Sequence, residues 1–466
     1  MSQQENRRLS RRALLKGMAL GGTALLLGAC QPQVVEVEKV VKETVLVEAK
    51  APEPVGLKEV TINYWFAGGQ LWEDFYTQKV FPLFYERYPH IKIEHTLIGS
   101  WSDLYNKLVT STAGGAPPEV ARQKDFMTPD FAVRGLQQEL TDYVATVNHI
   151  TDDKYEPLAW KNCHWSGKLV ALPLHIFIHH VHMSKELFAK AGLVDDEGMP
   201  IPPDTWDDVR EYGRKITDPD NQVYGTILRD EGGKEDTVNF FQVWLAQAGG
   251  QLTDEEYTKF TFNSPEGLEA LTFQVSLIKD GIMKPPGVSI PGLIPGNHVG
   301  MWWHAANYWP GYVSSNPDFE FANAVNPKNK NRGAVIRANH LALYSGAAHK
   351  DEGFLWMAFH QEPDIDYLYG QERNYITARL ENWEKPYYKQ AWMGKKGPSV
   401  QVEFEQFRQP GNQPQPIFPG YQESTYKIGA LLMLAYMGEL EPAACLEQAE
   451  KEGNLVLETT RRLLHL

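Results

Sequence analysis

Apolar and polar positions follow two periods along the chain after residue 58. Residues 59–66 alternate β-branched and aromatic side chains with polar ones, which predicts a strand, and residues 91–98 predict a second. Apolar residues at helical spacing predict helices over 74–88 and 103–112, the latter with Ser102 as its N-cap. Strand, helix, strand, helix implies parallel pairing with helices on both faces of a sheet.

The same pattern returns in the middle of the chain. Residues 169–183 are strand-like throughout. Ser184 and Thr205 each precede a helical pattern, and Ser264 is followed by a proline and an acid, which is typical of a helix start. These signals predict an α/β chain.

The first thirty residues form a pattern of their own. Residues 10–16, SRRALLK, are a close variant of the twin-arginine export pattern, and an apolar run at 18–27 follows. Residues 27–30, LGAC, resemble a lipobox, so we expect a signal peptide at 1–29 and lipidation of Cys30. The alternative is an N-terminal transmembrane helix with an incidental cysteine. Two acyl chains on one residue would hold the protein at a membrane surface.

Residues 30–57 connect this anchor to the globular chain. They alternate valine with charged residues and end on Pro52 and Pro54, which favours an extended flexible linker. No later apolar run approaches the ~18 residues of a transmembrane span. The prediction is a tethered protein on the extracytoplasmic face of the cell membrane.

Charge and cysteine content narrow the function classes. The net charge is −14, and removing residues 1–29, with five basic residues and one acid, leaves −18. Such a balance argues against nucleic acid and against direct docking onto anionic lipid. Cys163 and Cys445 are more consistent with two buried thiols than with a disulfide. The length predicts two domains.

An ordered set of motifs resembles one family, the extracellular solute-binding proteins of ABC importers, in the branch that includes maltose-binding protein. The motifs span about residues 58–380 and occur in the family's order. They are TINYWF, FYERYPHIKIEHTLI, SDLYNKLVTSTAGGAPPEV, GLQQELTDYV, SGKLVALPLHIFIHHVHMSKELFAKAGL, PPDTWDDV, WLAQAGGQL, FNSPEGLEAL, NHVGMWWHAANYW and RANHLALYSGA.

The resemblance implies a two-lobed α/β fold of the periplasmic-binding-protein type II class, with a cleft between lobes and a helical C-terminal part. One lobe would hold residues 58–172 and 334–376, and the other residues 173–333 and 377–466. It further implies a monomer that is not an enzyme, needs no cofactor, and delivers a carbohydrate, either a mono- or an oligosaccharide, to a membrane permease by hinge closure.

Candidate ligand residues follow from that mapping and from the chemistry of sugars, whose C–H faces stack on aromatic rings and whose hydroxyls bond polar side chains. Trp65 at the end of the first strand and Gln70 in the turn at 67–70 are both candidate ligand residues. Trp65 either lines the cleft or packs in the core. Asp125 lies where the family often places a cleft carboxylate, or it is part of a surface turn.

The histidines in LPLHIFIHHVHM invite a metal interpretation. In a strand, His175 and His179 share one face while His180 and His182 share the other, so three cannot converge without a bend. We therefore predict no metal site and expect a cleft hydrogen bond from His175 or His179.

The aromatic segment at 296–312, GNHVGMWWHAANYWPGY, supplies the other candidates. The family's cleft tryptophan falls on Asn307, with aromatic residues one and two places later. This alignment predicts a cleft wall formed by His304, Asn307, Tyr308 and Trp309. Arg337 and Asn339 replace the small residues usual at a lobe crossing, which suggests a ligand-specific rim, and Arg379 is a further candidate.

Other functions remain open at this point. The same fold could bind a phosphorylated sugar, which needs converging cations such as Arg122, Lys124, Arg337 and Arg379, or a polyol or polyamine. A secreted glycosidase or a lectin would be a different class, since no common catalytic motif is present but paired carboxylates cannot be read from spacing.

Overall fold

The computed structural model describes residues 58–228, 234–290, 292–389 and 398–466. The predicted signal peptide, Cys30 and the linker to residue 57 lie outside the described residues. Among the described residues, no helix combines the length and apolar character that crossing a membrane requires.

Fourteen strands are described. They are β1 Val60–Ala67, β2 Ile91–Ile98, β3 Val120–Lys124, β4 His164–Trp165, β5 Lys168–Leu169, β6 Leu172–Ile178, β7 His180–Ser184, β8 Tyr224–Ile227, β9 Met283–Lys284, β10 Val299–His304, β11 Phe321–Ala324, β12 Val335–Leu343, β13 Ile376–Thr377 and β14 Gln413–Pro414.

Helices surround these strands. The described α-helices are α1 Gln70–Phe75, α2 Phe81–Arg87, α3 Trp101–Ala113, α4 Met127–Val133, α5 Thr141–Val144, α6 Pro157–Lys161, α7 Lys185–Lys190, α8 Trp206–Ile216, α9 Lys234–Gln247, α10 Pro265–Lys279, α11 Trp309–Ser315, α12 Lys350–His360, α13 Pro363–Arg373, α14 Pro386–Lys389, α15 Val400–Phe407, α16 Tyr421–Tyr436 and α17 Pro442–Leu464. A π-helix, Tyr76–Val80, joins α1 to α2, and short 3₁₀ turns include Ala306–Tyr308.

The strands form two main sheets, one in each lobe. The seven-stranded sheet has the order β13-β6-β12-β3-β1-β2, with β14 also paired to β12, and defines what we call the large-sheet lobe. The five-stranded sheet has the order β11-β7-β10-β8-β9 and defines the small-sheet lobe. β1 pairs in parallel with β2 and β3, as the alternating pattern predicts, whereas β12 runs antiparallel to β3 and β6.

The long strand-like segment at 169–183 is divided among the sheets. β6 ends at Ile178 in the seven-stranded sheet, and β7 begins at His180 in the five-stranded sheet, so His179 stands at the crossing between lobes. Continuous hydrophobicity could not reveal this break, because a strand buried on both faces has the same sequence pattern on either side of a crossing.

Helix caps mostly follow the sequence signals. The side chains of Ser184, Thr205 and Ser264 each accept a hydrogen bond from a first-turn amide, which confirms them as N-caps. The prediction for Ser102 is wrong. The helix α3 begins at Trp101, so Ser100 is the residue with extended backbone geometry, and its hydroxyl accepts from the amide of Asp103.

Both tryptophans of β10 are buried. Trp303 packs against Trp244 in the main core, with ring centroids 4.8 Å apart. Trp302 enters a second apolar cluster with Tyr312, Phe319 and Phe321 on the other face of the strand. The five-stranded sheet is therefore covered on both faces.

The C-terminal helices pack on the small-sheet lobe and also reach the other one. α16 and α17 pack against α9 and α10. The hydroxyl of Tyr426 on α16 donates to Ser102 on α3 at 2.6 Å. Cys163 and Cys445 are both buried free thiols, which confirms the prediction that they are unpaired.

Candidate functional site

A cavity lies where the two lobes face each other. Its empty volume is about 610 Å³, including the space at its mouth that opens to solvent. The lining combines aromatic, amide and charged side chains. Its residues are Trp101, Lys124, Asp125, Phe126, Phe177, His179, Glu235, Asp236, Asn239, Asn307, Tyr308, Arg337, Ala338, Asn339, Tyr375 and Gln415.

Both lobes contribute to this lining. Lys124 and Asp125 stand at the carboxyl end of β3, and Arg337 and Asn339 belong to β12 of the same sheet. From the small-sheet lobe come the first turns of α9 and the 3₁₀ turn Ala306–Tyr308 that follows β10. An interlobe cleft of this kind is where ligand pockets are most often found.

An ion pair joins the lobes at one side of the cavity. The ammonium of Lys124 lies 2.8 Å and 2.9 Å from the two carboxylate oxygens of Glu235 on α9. These side chains are only 16% and 14% exposed. Screening by solvent is reduced at such a site, so the pair is stronger than one on the open surface.

Arg337 makes a second contact between lobes. Its guanidinium donates to the side-chain oxygens of Asn239 at 2.9 Å and Gln242 at 3.3 Å, both on α9. Asn239 in turn donates to Glu235 at 3.2 Å. We call Lys124, Arg337, Glu235, Asn239 and Gln242 the interlobe bridge; its bonds hold the lobes together in this structure.

Asp125 is fixed by backbone groups. One carboxylate oxygen accepts from the amide of Phe126 and the other from the amide of Ala338, both at 2.9 Å. Burial raises the pKa of Asp125 to about 6, while the Ala338 amide and nearby Arg337 favour its charged form. Asp125 therefore remains ionised at neutral pH and ties the loop after β3 to β12.

Two acceptors in the cavity lack a hydrogen-bond partner among the described residues. They are the side-chain oxygens of Asn307 and Asn339, both buried and supplied by opposite lobes. A buried acceptor without a donor is costly, so a ligand hydroxyl would gain a bond to either oxygen once its side chain turns toward the cavity.

Six of the twelve predicted ligand residues meet at this cavity. They are Asp125, His179, Asn307, Tyr308, Arg337 and Asn339. Among the other six, His175 and His304 lie directly behind lining residues. His175 stacks on Tyr375 with centroids 3.5 Å apart, and His304 stacks on Tyr308 at 4.2 Å. Burial, followed by the charge of Arg122, lowers the pKa of His175 well below its usual value.

The remaining four candidates are farther from the cavity or turned into other contacts. Trp309 is fully buried, and its indole N–H donates to His182 at 2.7 Å. The ring of Trp65 lies under the ammonium of Lys107 at 4.2 Å, and exposed Gln70 bonds Asp74. Arg379 is buried against the carbonyl of His149 and the hydroxyl of Tyr155.

Sequence reasoning assigned no ligand role to several lining residues. In the sequence, Glu235 and Asp236 match the acidic first turn that is common in helices, so they gave no indication of a ligand role. Trp101 is the first residue of α3, and Tyr375 lies in the short connection between α13 and β13. Gln415 follows the two-residue strand β14, for which the sequence has no signal. Their shared position depends on the lobes meeting, which no local pattern encodes.

The lining carries nearly balanced charge. Lys124 and Arg337 face three carboxylates, those of Asp125, Glu235 and Asp236, and both cations are already bonded to groups of α9. Rings of Trp101, Phe126, Phe177, Tyr308 and Tyr375 supply apolar surface. The arrangement suits an uncharged ligand with apolar faces and a hydroxylated edge. The described residues contain no cluster of His, Cys, Asp and Glu arranged to hold a metal ion.

Comparison with known proteins agrees with this architecture. A solute-binding protein of Thermotoga lettingae TMO, solved with bound α-D-tagatose, is 25% identical with a TM-score of 0.76, over 85% of this chain and 99% of that one. A binding protein of Brucella abortus is 21% identical over 389 residues, 82% of this chain and 90% of the relative. The mannitol-binding protein of Pseudomonas aeruginosa is 33% identical over 126 residues, 27% of each chain.

The family model for bacterial extracellular solute-binding proteins matches residues 69–366, well over half of the chain. The two-lobed α/β fold expected from the sequence is confirmed by the two sheets and by the solved relatives. This chain belongs to the bacterial extracellular solute-binding protein family.

Proposed function

We propose that this chain is the substrate-binding component of an ABC importer, and that it captures a neutral carbohydrate of monosaccharide size in the interlobe cavity. The observation that carries the proposal is the pair of unpartnered oxygens, Asn307 from one lobe and Asn339 from the other, in a cavity lined by aromatic rings. A sugar that donates to both oxygens binds only when the lobes are closed.

Closure follows from this geometry. A ligand held by Asn339 in the large-sheet lobe gains further bonds only if the small-sheet lobe brings Asn307 to it. The difference in affinity between open and closed forms then shifts the population toward the closed form. The closed form would be the one that the permease recognises.

Size and charge favour this ligand over the alternatives. Tagatose and mannitol, named with two of the relatives, are uncharged. So are the arabinooligosaccharide and maltotriose named with two others, so the relatives support a neutral sugar and leave its length to the shape of the cavity. The interlobe bridge closes one side of the cavity, which restricts longer chains. A phosphorylated sugar needs cations for its phosphate, yet Lys124 is already paired with Glu235, and Arg337 is bonded to Asn239 and Gln242.

Titration of the purified protein with neutral monosaccharides, hexitols, oligosaccharides, sugar phosphates and polyamines tests the proposal. Trp101 lines the cavity, so tryptophan fluorescence should report binding. We expect saturable binding of a neutral sugar or hexitol without turnover. Asn339→Ala should weaken it by about 1–3 kcal/mol, whereas exposed Gln70→Ala should not change it. Tight binding of a phosphate ester or hydrolysis of the bound sugar would contradict the proposal.

The finer topology and location are part of the same proposal. We further propose a monomer tethered through lipidated Cys30, and the tether is supported by the sequence motifs at 10–16 and 27–30. Of the lobe bounds expected from the sequence, the one after residue 172 moves to His179, because β6 pairs with β12 in the seven-stranded sheet. Mass spectrometry of the membrane-extracted protein would show a lipid on Cys30, and an unmodified mature N-terminus would contradict the anchor.

A further inference from the structure

A buried carboxyl group outside the cavity contacts the crossing between lobes. Glu403 on α15 is 1% exposed. One of its oxygens accepts from the amide of Ile178 at 3.3 Å. Ile178 is the last residue of β6, immediately before the crossing residue His179, which lines the cavity.

The same carboxyl group also interacts with the small-sheet lobe. The amide of Ala306 favours its charged form, and Ala306 begins the 3₁₀ turn that presents Asn307 and Tyr308 to the cavity. Glu403 thus lies between an amide at the end of a large-sheet strand and an amide of the small-sheet turn. Movement of the lobes relative to each other must change this environment.

The charge of Glu403 is poorly compensated. Its second oxygen has no hydrogen-bond partner among the described residues. Burial raises its pKa to about 8, against the favourable effect of the two amides, and no described Lys or Arg side chain contributes. Two titratable groups on other elements interact with the charge of Glu403, the hydroxyl of Tyr375 and the hydroxyl of Tyr387 on α14. From β6, the described contact is the amide of Ile178.

Tyr375 links this group to the ligand site. Its ring lines the cavity. Burial and, to a lesser extent, the negative charge of Glu403 raise the pKa of its hydroxyl, and a hydrogen bond with the side chain of Asn307 lowers that pKa. A change at Glu403 can therefore reach Asn307 by two routes, through the backbone at Ala306 and through Tyr375.

We propose that Glu403 is a positioning residue that takes up one proton from solvent when the lobes close, so that ligand capture is coupled to protonation. In the closed form the carboxyl group is buried; opening at the Ile178–His179 crossing admits water and lets the group ionise. The balance is open protein plus sugar plus one proton giving the closed, protonated complex. The coupling to sugar rests on the proposed function.

The sign of the pH effect follows from this balance. A group whose pKa is higher in the closed state than in the open state binds a proton on closing at every pH between the two values. Ligand affinity therefore falls as pH rises toward 8 and is constant above that value. Between pH 6.5 and 8 we expect Kd to rise by up to about ten-fold per pH unit.

Calorimetry with the protein and D-tagatose, in buffers of different ionisation enthalpy from pH 6.5 to 8.5, measures the proton taken up. Wild type should bind close to one proton per sugar at pH 7 and less above pH 8. Glu403→Gln keeps an oxygen for the Ile178 amide but cannot ionise, so its Kd should stay constant over this pH range and lie below that of wild type. Exposed Glu405→Gln on the same helix should keep the wild-type profile.

Uptake of no proton by wild type, or a pH-dependent Kd retained in Glu403→Gln, would overturn the inference.

If neither tagatose nor another sugar of the panel binds, the proposed function fails, and a measurement without ligand then tests the role of Glu403. Small-angle scattering should then show wild type opening between pH 6.5 and 8.5 and Glu403→Gln remaining closed. An equal pH response of the two proteins would contradict the role of Glu403. If Glu403→Gln does not fold, uptake of no proton by wild type still overturns the inference.

Discussion

At the scale of single residues, the side chains that look most like ligand platforms are not all at the cavity. Trp309 had the chemistry of a sugar platform, but it is fully buried and donates to His182. His182 is also buried, and burial lowers its pKa well below the usual value, so it stays neutral and can accept that bond. Tyr308, one position earlier, lines the cavity instead.

Replacing Trp309 with Phe should therefore affect stability rather than binding. The variant keeps an aromatic ring but leaves the buried ring nitrogen of His182 without its donor, at a cost of about 1–3 kcal/mol in the free energy of unfolding. Urea unfolding measures this cost, and titration with the sugar bound by wild type measures affinity. A large loss of affinity in a stable variant would place Trp309 in the ligand site after all.

At the scale of elements, the contacts between β3, β12 and α9 decide how the lobes meet. The Lys124–Glu235 pair spans from a strand of one lobe to a helix of the other, and Glu235 also accepts from Asn239, which accepts from Arg337. These bonds link two side chains of α9, Glu235 and Asn239, into one set of closing contacts. An isolated surface pair would add little.

Glu235→Gln should weaken closure, because Lys124 would be left partly buried without its counter-charge. The free energy of ligand binding should become less favourable by about 2 kcal/mol. The change should appear mainly as faster ligand dissociation, measured by stopped-flow fluorescence. The matched control is Glu211→Gln, which breaks an exposed pair with Lys215 on α8. Equal dissociation rates in wild type and Glu235→Gln would show that the pair does not hold the lobes.

At the scale of the whole molecule, buried titratable groups set how stability depends on pH. Burial raises the pKa of Asp366 to about 7 and of Glu403 to about 8. An acid with a higher pKa in the folded state loses stability as pH rises to that folded value. Burial also lowers the pKa of His180 and His360 to about 4 and of His340 to about 3. Below pH ~6.5 these histidines take protons first in the unfolded chain, so stability falls as pH falls.

The free energy of unfolding should thus be highest near pH ~6.5 and decrease on both sides. Chemical denaturation from pH 4 to 9 measures the curve. Glu403→Gln should flatten the decrease between pH 6.5 and 8 and make the acidic side steeper between pH ~6.5 and ~4.3, because the ionisation of Glu403 opposes the histidine effect there. A maximum above pH 8 in wild type would contradict the buried carboxyl groups as its cause.

The sequence alone determined the class of this protein. Local periodicity and caps such as Ser184 and Thr205 gave the α/β pattern, since they depend on neighbours within a few residues. The order of motifs gave the family, and six of the cavity residues followed from it. The tertiary structure alone decided the break of one apolar run at His179, the burial of Trp309, and the meeting of Glu235, Tyr375 and Gln415 at one cavity. The reason is physical: a cleft is formed by residues far apart in the chain, and their approach depends on how two sheets pack and close.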